Sequence, residues 1–223
     1  MIRLKNLFFV TLFLLVIQIS LGQRNYDNYN RLGLNGGFAI TDISTSDLTT
    51  ESGGGFIAGF TTRGSFRNNF DLIYGISFAS EQIKVFARGV SPANGINEQF
   101  LEYTISGAQL NFLGSYNIVK HHVSLEFGPI LQVNGKMKLQ QEQFGEYIID
   151  GYTTIRAEDI QDISKIGLRA AGGITAGLES FRISAQYQYG VTNTLNNLND
   201  QNLENSNFEG HTSTILIAAI VYF

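Results

Sequence analysis

The chain contains no cysteine and no tryptophan, and only 2 prolines and 15% charged residues among its 223 positions. Without cysteine there is no disulfide framework, no thiolate metal centre, no cysteine nucleophile and no lipid-modified N-terminal cysteine. The charged fraction is well below the roughly 25% of ordinary soluble domains. A formal net charge of −4 supplies no basic footprint, so no nucleic-acid partner is expected. Beyond the N-terminus no run approaches the ~18 consecutive apolar residues of a membrane helix. No triplet, heptad or long polar block dominates, which excludes collagen-like, coiled-coil and disordered readings. What the chain has in quantity is 24 glycines, 17 phenylalanines, 10 tyrosines and 43% hydrophobic residues.

The N-terminus has the layout of a secretory signal peptide. Arg3 and Lys5 form a positive n-region, Leu7 to Ile19 an apolar h-region, and the small residues Ser20 and Gly22 flank a cut before Gln23. As a helix the h-region rises about 20 Å, short of the ~30 Å hydrocarbon core, which favours cleavage over a retained anchor. The expected division is a signal peptide at 1–22, a short periplasmic segment at 23–30 and one domain at 31–223.

That domain alternates with period two. From Phe181 to Thr192 the odd positions are apolar or aromatic and the even ones polar or glycine. Phe70, Leu72, Tyr74, Ile76 and Phe78 likewise alternate with Asp71, Ile73, Gly75, Ser77 and Ala79. Such runs are strands with one greasy face and one small or polar face. They fall at about 31–41, 54–63, 70–83, 100–118, 123–137, 165–178, 181–192 and 211–223. The fourth inverts its pattern between Gly107 and Leu110, as a bulge or kink would make it do. No helix-periodic segment separates the strands, which excludes βαβ folds.

The links between runs alternate in length. Those at about 42–53, 84–99, 138–164 and 193–210 are long and polar, whereas Gly64–Asn69, Val119–His122 and Glu179–Ser180 are short. All long links then leave one end of the sheet, and an even strand number returns both termini to the other. This is the plan of an outer-membrane barrel with tight periplasmic turns and long extracellular loops. A soluble barrel with its apolar face inward has the same period. Three features favour the membrane. Most runs reach the ten or so residues that cross a bilayer at a tilt. The presumed inner face is rich in small residues, as a narrow eight-stranded lumen requires. The chain ends on a strand closing with an aromatic, Tyr222-Phe223, with Ile215, Ile217, Ala219, Val221 and Phe223 on one face. That ending resembles the C-terminal strand by which the barrel-assembly machinery recognises its clients, and so marks Ile217, Ala219, Val221 and Phe223 as an assembly signal.

The expected fold class is therefore all-β: an eight-stranded antiparallel transmembrane up-and-down β-barrel in the cell outer membrane. Signal peptide, eight strands, a glycine-rich inner face and the Tyr222-Phe223 end together resemble the small outer-membrane barrel proteins of the PorT-like type. The Leu21-Gly22-Gln23 context is similar to that group's signal-peptide end. The resemblance covers about Arg31 to Phe223. It implies architecture but no catalytic motif, although some members of the type act in protein secretion.

By parity Asp71, Glu81, Glu126, Arg169, Glu179 and Arg182 project into the lumen. An unpaired buried ion is strongly unfavourable, so these residues are expected to form an internal salt-bridge network that plugs the barrel. His211 and Ser213 share a strand face, which resembles rim-located lipid deacylases. The full constellation needs an orienting acid, for which Glu209 two residues away is placed, and an oxyanion donor; a polar rim end to a strand explains these residues equally well. His121-His122 reads as a solvated turn, because adjacent strand residues point to opposite faces. The carboxylates Glu142, Glu146, Asp150, Glu158, Asp159 and Asp162 lack the spacing of a calcium loop. Gly53-Gly54-Gly55 is followed by no Lys-Ser/Thr pair. No catalytic, metal or cofactor site is assigned.

The 138–164 link also carries Phe144, Tyr147, Ile148, Ile149, Tyr152 and Ile155. This is the composition of a strand extension or hairpin offering a contact surface to an envelope or extracellular protein. The Asn-rich 193–207 link reads as mobile. The functional expectation is a non-enzymatic structural or interaction protein of the envelope, whose other partners are outer-membrane lipid and, during biogenesis, the assembly machinery. A rim-located lipid hydrolase, a soluble ligand-binding barrel and a secretion-apparatus subunit stay open as alternatives.

Overall fold

The computed structural model describes residues 30–91 and 95–223. The expected signal peptide, and all of the 23–30 segment except Asn30, lie outside the described residues. Nine strands follow in order: β1 (Asn30–Ser44), β2 (Thr50–Arg67), β3 (Phe70–Ser91), β4 (Gly95–Val119), β5 (Val123–Leu139), β6 (Ile148–Ile149), β7 (Ile166–Gly177), β8 (Phe181–Gly190) and β9 (His211–Tyr222). Eight of them pair antiparallel with their chain neighbours, and β1 pairs with both β2 and β9, which closes the ring. The two-residue β6 is an addition outside the ring, paired with β3 at Ala87↔Ile149. A closed ladder satisfies every strand's backbone groups internally, the condition for crossing lipid without helices.

The short links are tight turns. The β2–β3 and β4–β5 turns place Asn68 (φ 50°) and His121 (φ 62°) in the left-handed region. Asn and His are among the side chains that tolerate this region best. His121 and His122 are thus turn residues, with His122 Nδ1 2.9 Å from the Lys120 carbonyl oxygen. Among the described residues no group of His and carboxylate side chains is arranged to hold a metal.

The polarity inversion in the fourth run has a cause other than the expected kink. Leu101, Tyr103, Ile105, Gln109, Leu113 and Ser115 are all buried, so the odd positions of β4 face inward along its whole length. Its register against β3 is unbroken from Phe70↔Tyr116 to Ser91↔Gly95. The irregularity lies in β5, which advances from Met137 to Asn134 while β4 goes from Ile105 to Gly107. What changes along β4 is the surroundings. Near the turns the outer face is apolar (Leu110, Phe112, Ile118) and the inner face, Leu113 apart, is polar; beyond Gly107 the inner face is apolar and the outer face carries Glu102 and Thr104. β3 repeats this, with Tyr74, Ile76 and Phe78 exposed on one side of the boundary and Ile83, Val85 and Ala87 buried on the other. The first zone is built for lipid. The second is built like a water-soluble barrel.

Within the expected long link at 84–99, the described residues 84–91 and 95–99 are strand rather than loop, because the apolar inward residues of β3 have a core to join. That core comprises Ile43, Leu48, Ile83, Val85, Leu101, Tyr103, Ile105, Met137 and residues of the two long loops, among them Ile149, Ile155, Ile160, Leu195, Leu198 and Phe208. Each Ile or Leu buried there contributes on the order of 1.5–3 kcal/mol.

Candidate functional site: the filled lumen and its dome

The membrane zone of the lumen holds charge in two layers. In the layer nearer the turns, Arg63 is fully buried at 0% exposure and is the centre of the cluster. Its guanidinium donates to Asp71 Oδ2 at 3.1 Å and Ser115 Oγ at 2.9 Å, and also to Glu126. Arg63 Nε lies 3.4 Å from the Tyr222 hydroxyl oxygen, and Arg182 donates to Ser124 Oγ at 3.0 Å. In the second layer Arg169 and Glu81 form a two-pronged pair at 2.7 and 2.6 Å. Thr214 Oγ1 is 3.3 Å from Glu81 Oε1 and 3.0 Å from Thr41 Oγ1. The planar guanidinium matches a carboxylate's two oxygens, the geometry in which a buried pair offsets most of its desolvation.

Of the six expected lumen charges, Asp71, Glu81, Glu126, Arg169 and Arg182 are buried on the inner wall. Glu179 is not among them. It lies in the β7–β8 turn, 52% exposed, paired with Arg31 at 3.2 Å. Parity counted along β7 does not hold past Gly177, where the chain turns. Arg63 was missed because it sits at the end of a run, yet charge balance points to it. The six expected residues carry four carboxylates and two guanidiniums; removing Glu179 and adding Arg63 leaves three buried carboxylates facing three buried guanidiniums. Between the layers Ile57, Ile73, Leu113, Ile130 and Leu216 fill the bore. The internal spaces there measure about 30 Å³ and about 0 Å³. The larger has polar walls that include Asn35, Asn111 and Glu126, and is of a size for a water molecule.

Above this, the two long loops form a dome over the mouth. Residues 140–165 contain the 3-10 turns Glu142–Phe144 and Asp159–Gln161, with β6 between them. Tyr147, Ile149, Ile155, Ile160 and Ile163 are buried. The apolar side chains expected to form a contact surface therefore point into the barrel, and the loop's outer face is polar. Gly89 allows this: a Cβ there would lie 2.4 Å from the Tyr147 ring.

The Asn-rich loop is ordered, contrary to the mobility expected from its composition, because its asparagines bracket its own backbone. Asn193 Oδ1 accepts from the N–H groups of Leu195 and Gly210, both at 2.9 Å, and Asn193 Nδ2 donates to the Phe208 carbonyl at 2.8 Å. The brackets let Leu195, Leu198 and Phe208 reach the shared core. Glu204 joins the two loops, accepting from the N–H groups of Thr153 and Thr154 at 2.8 and 2.9 Å. These bonds hold its carboxyl below the usual carboxylate range. The clasp is therefore fully made above that range and is lost as the pH falls through the depressed value.

At the rim, His211 stacks on Tyr189 with ring centroids 5.7 Å apart. Its Nδ1 lies 2.9 Å from the Gly190 carbonyl oxygen and its Nε2 3.4 Å from Glu209 Oε1. The Ser213 hydroxyl donates to the Tyr187 hydroxyl at 2.9 Å. Both ring nitrogens of His211 face acceptors other than Ser213. On β9, Ile215, Ile217, Ala219 and Val221 are exposed on the lipid side, and Phe223 just beyond the strand is exposed as well.

A closed ring of eight antiparallel strands, apolar outside and filled with paired charge inside, defines an outer-membrane β-barrel. The family described as outer membrane protein beta-barrel domain matches residues 19–196, about four-fifths of the chain, and the protein belongs to that family and is located in the outer membrane. Among solved structures the chain is similar to Neisserial surface protein A (11% identity, 86% of this chain and 97% of that one, TM-score 0.47). It is also similar to the attachment invasion locus protein Ail of Yersinia pestis (17%, 87% and 99%, 0.46) and to OprG from Pseudomonas aeruginosa (14%, 88% and 97%, 0.48). No curated protein matches the chain.

Proposed function

We propose that this protein is a non-enzymatic envelope barrel, sealed along its axis, that carries an ordered polar dome on the outer face of the membrane for contact with a protein partner. The observation that carries this reading is the continuity of the filling. Two ion-pair layers, the apolar residues between them and the buried core beneath the loops fill the lumen, and the two spaces among the lumen side chains measure about 30 Å³ and about 0 Å³. The salt-bridge plug of Asp71, Glu81, Glu126, Arg169 and Arg182, with Arg63 added, is the structural device. The absence of catalysis is supported by His211, whose two ring nitrogens are directed away from Ser213.

The finer reading places the chain in the PorT-like type, with residues 1–22 removed before Gln23, 23–30 left in the periplasm, and Ile217, Ala219, Val221 and Phe223 read by the assembly machinery. The partner meets the outer face of residues 138–164, whose exposed groups include Glu146 and Arg156, joined at 2.8 Å.

Planar-bilayer recording tests the seal. The refolded mature chain is expected to give no stepwise current in concentrated salt at either polarity. Regular conductance steps from the intact chain would refute it.

A further inference from the structure

The lipid-facing wall carries a built feature that a uniform anchor does not need. Register places Phe60, Ile76, Leu110, Leu131 and Leu168 in one row across β2, β3, β4, β5 and β7. The next row toward the turns contains the small Thr62 and Pro129 beside the rings of Tyr74 and Phe112. These two rows line an apolar groove of about 630 Å³. One row toward the dome, only Ala108 stands between Phe78 and Val133, so the groove has a low wall at its upper end.

Directly above, at the border of the two zones, is a basic cluster. Lys136 and Lys138 are exposed on β5 while Met137 and Leu139 between and beyond them are buried, so the two lysines share the outer face. The irregularity in β5 described above produces this alignment, because it reverses the strand's parity just beyond Val133. Lys165, exposed, immediately precedes β7, and its carbonyl accepts from the Asn134 N–H at 2.7 Å. Strand spacings put Lys165 and Lys136 about 8–10 Å apart, and Lys136 about 15 Å along the strand from Leu131. Among the described residues none of the three ammonium groups is in a salt bridge. Glu142 and Glu158 share the polar cleft on the dome side of Lys136 and Lys138, and Glu158 is turned to Arg156 at 3.6 Å. The side toward the membrane is left to the lysines.

We infer that Lys136, Lys138 and Lys165, with the groove beneath them, form a binding site for a phosphorylated, multiply acylated glycolipid of the outer leaflet, with acyl chain in the groove and phosphate at the lysines. Lysine stems lie along apolar surface while their heads reach the headgroup level, where unpaired cations attract phosphate. The site lies on the dome side of the barrel, which faces the leaflet built of such lipid.

Native mass spectrometry and titration of the detergent-refolded chain test the assignment, with bisphosphorylated lipid A, its dephosphorylated form, phosphatidylglycerol and inorganic phosphate as probes. Lipid A should bind one to one and more tightly than each of the other three. The triple variant Lys136→Gln/Lys138→Gln/Lys165→Gln should lose roughly a hundredfold in affinity, at about fivefold per lysine. Lys84→Gln, on the outer face of β3, should leave binding unchanged. Ala108→Phe should weaken it without altering charge. A heat-dependent gel shift confirms that each variant is folded. Equal binding of the dephosphorylated lipid, equal binding of inorganic phosphate alone, or full affinity in the triple variant would overturn the assignment.

Discussion

Arg63→Ala is expected to destabilise the folded barrel by about 3–5 kcal/mol, because removing one partner of a buried ion pair leaves an uncompensated charge. Here the loss strands two carboxylates, Asp71 and Glu126, which are 3% exposed and bonded to Arg63. Urea unfolding in phospholipid bilayers measures it. The triple variant Arg63→Gln/Asp71→Asn/Glu126→Gln keeps shape and removes charge, and should recover most of the loss. If Arg63→Ala proved as stable as the parent, the plug would not be a paired network.

Phe208→Ala is expected to cost about 3–5 kcal/mol, the range for truncating a large buried ring. The loss should be felt in the dome and not in the membrane zone. Phe208 is 1% exposed, its ring centroid is 5.9 Å from that of Tyr152, and it joins the core shared by both long loops. The lumen layers below make no use of it. Limited proteolysis should therefore cut residues 140–165 and 193–210 in the variant while the heat-dependent gel shift stays intact. Loss of the shift together with the loops would mean that dome and barrel unfold as one unit.

The eight ring strands were legible because lipid on one side and a narrow bore on the other force strict alternation, visible in Phe70–Phe78 and Phe181–Thr192. The dome was less legible for a related reason. Above the membrane the same parity continues but the solvent changes, so Ile83, Val85 and Ala87 alternate with Lys84, Phe86 and Arg88 in a pattern that reads as a link unless a core is known to lie inside. The 138–164 apolar residues were noticed and their direction was not, since composition does not say whether Ile149 or Ile155 faces out or in. Five lumen charges followed from parity alone. Glu179 failed where parity runs into a turn, and Arg63 was recoverable only by asking what neutralises Asp71 and Glu126. The brackets of Asn193 depend on long-range backbone placement, which no local pattern carries.

Strand β3 passes from a lipid-facing zone into an inverted, water-facing zone without changing parity. Because the chain has no cysteine, single substitutions in β3 test this directly: Phe78→Cys, Ile83→Cys and Lys84→Cys, each labelled with a membrane-impermeant maleimide in bilayers. Lys84→Cys should label readily, Ile83→Cys should be shielded by the dome core, and Phe78→Cys should be shielded by lipid until detergent is added. Ready labelling of both Ile83→Cys and Phe78→Cys from water would contradict the account.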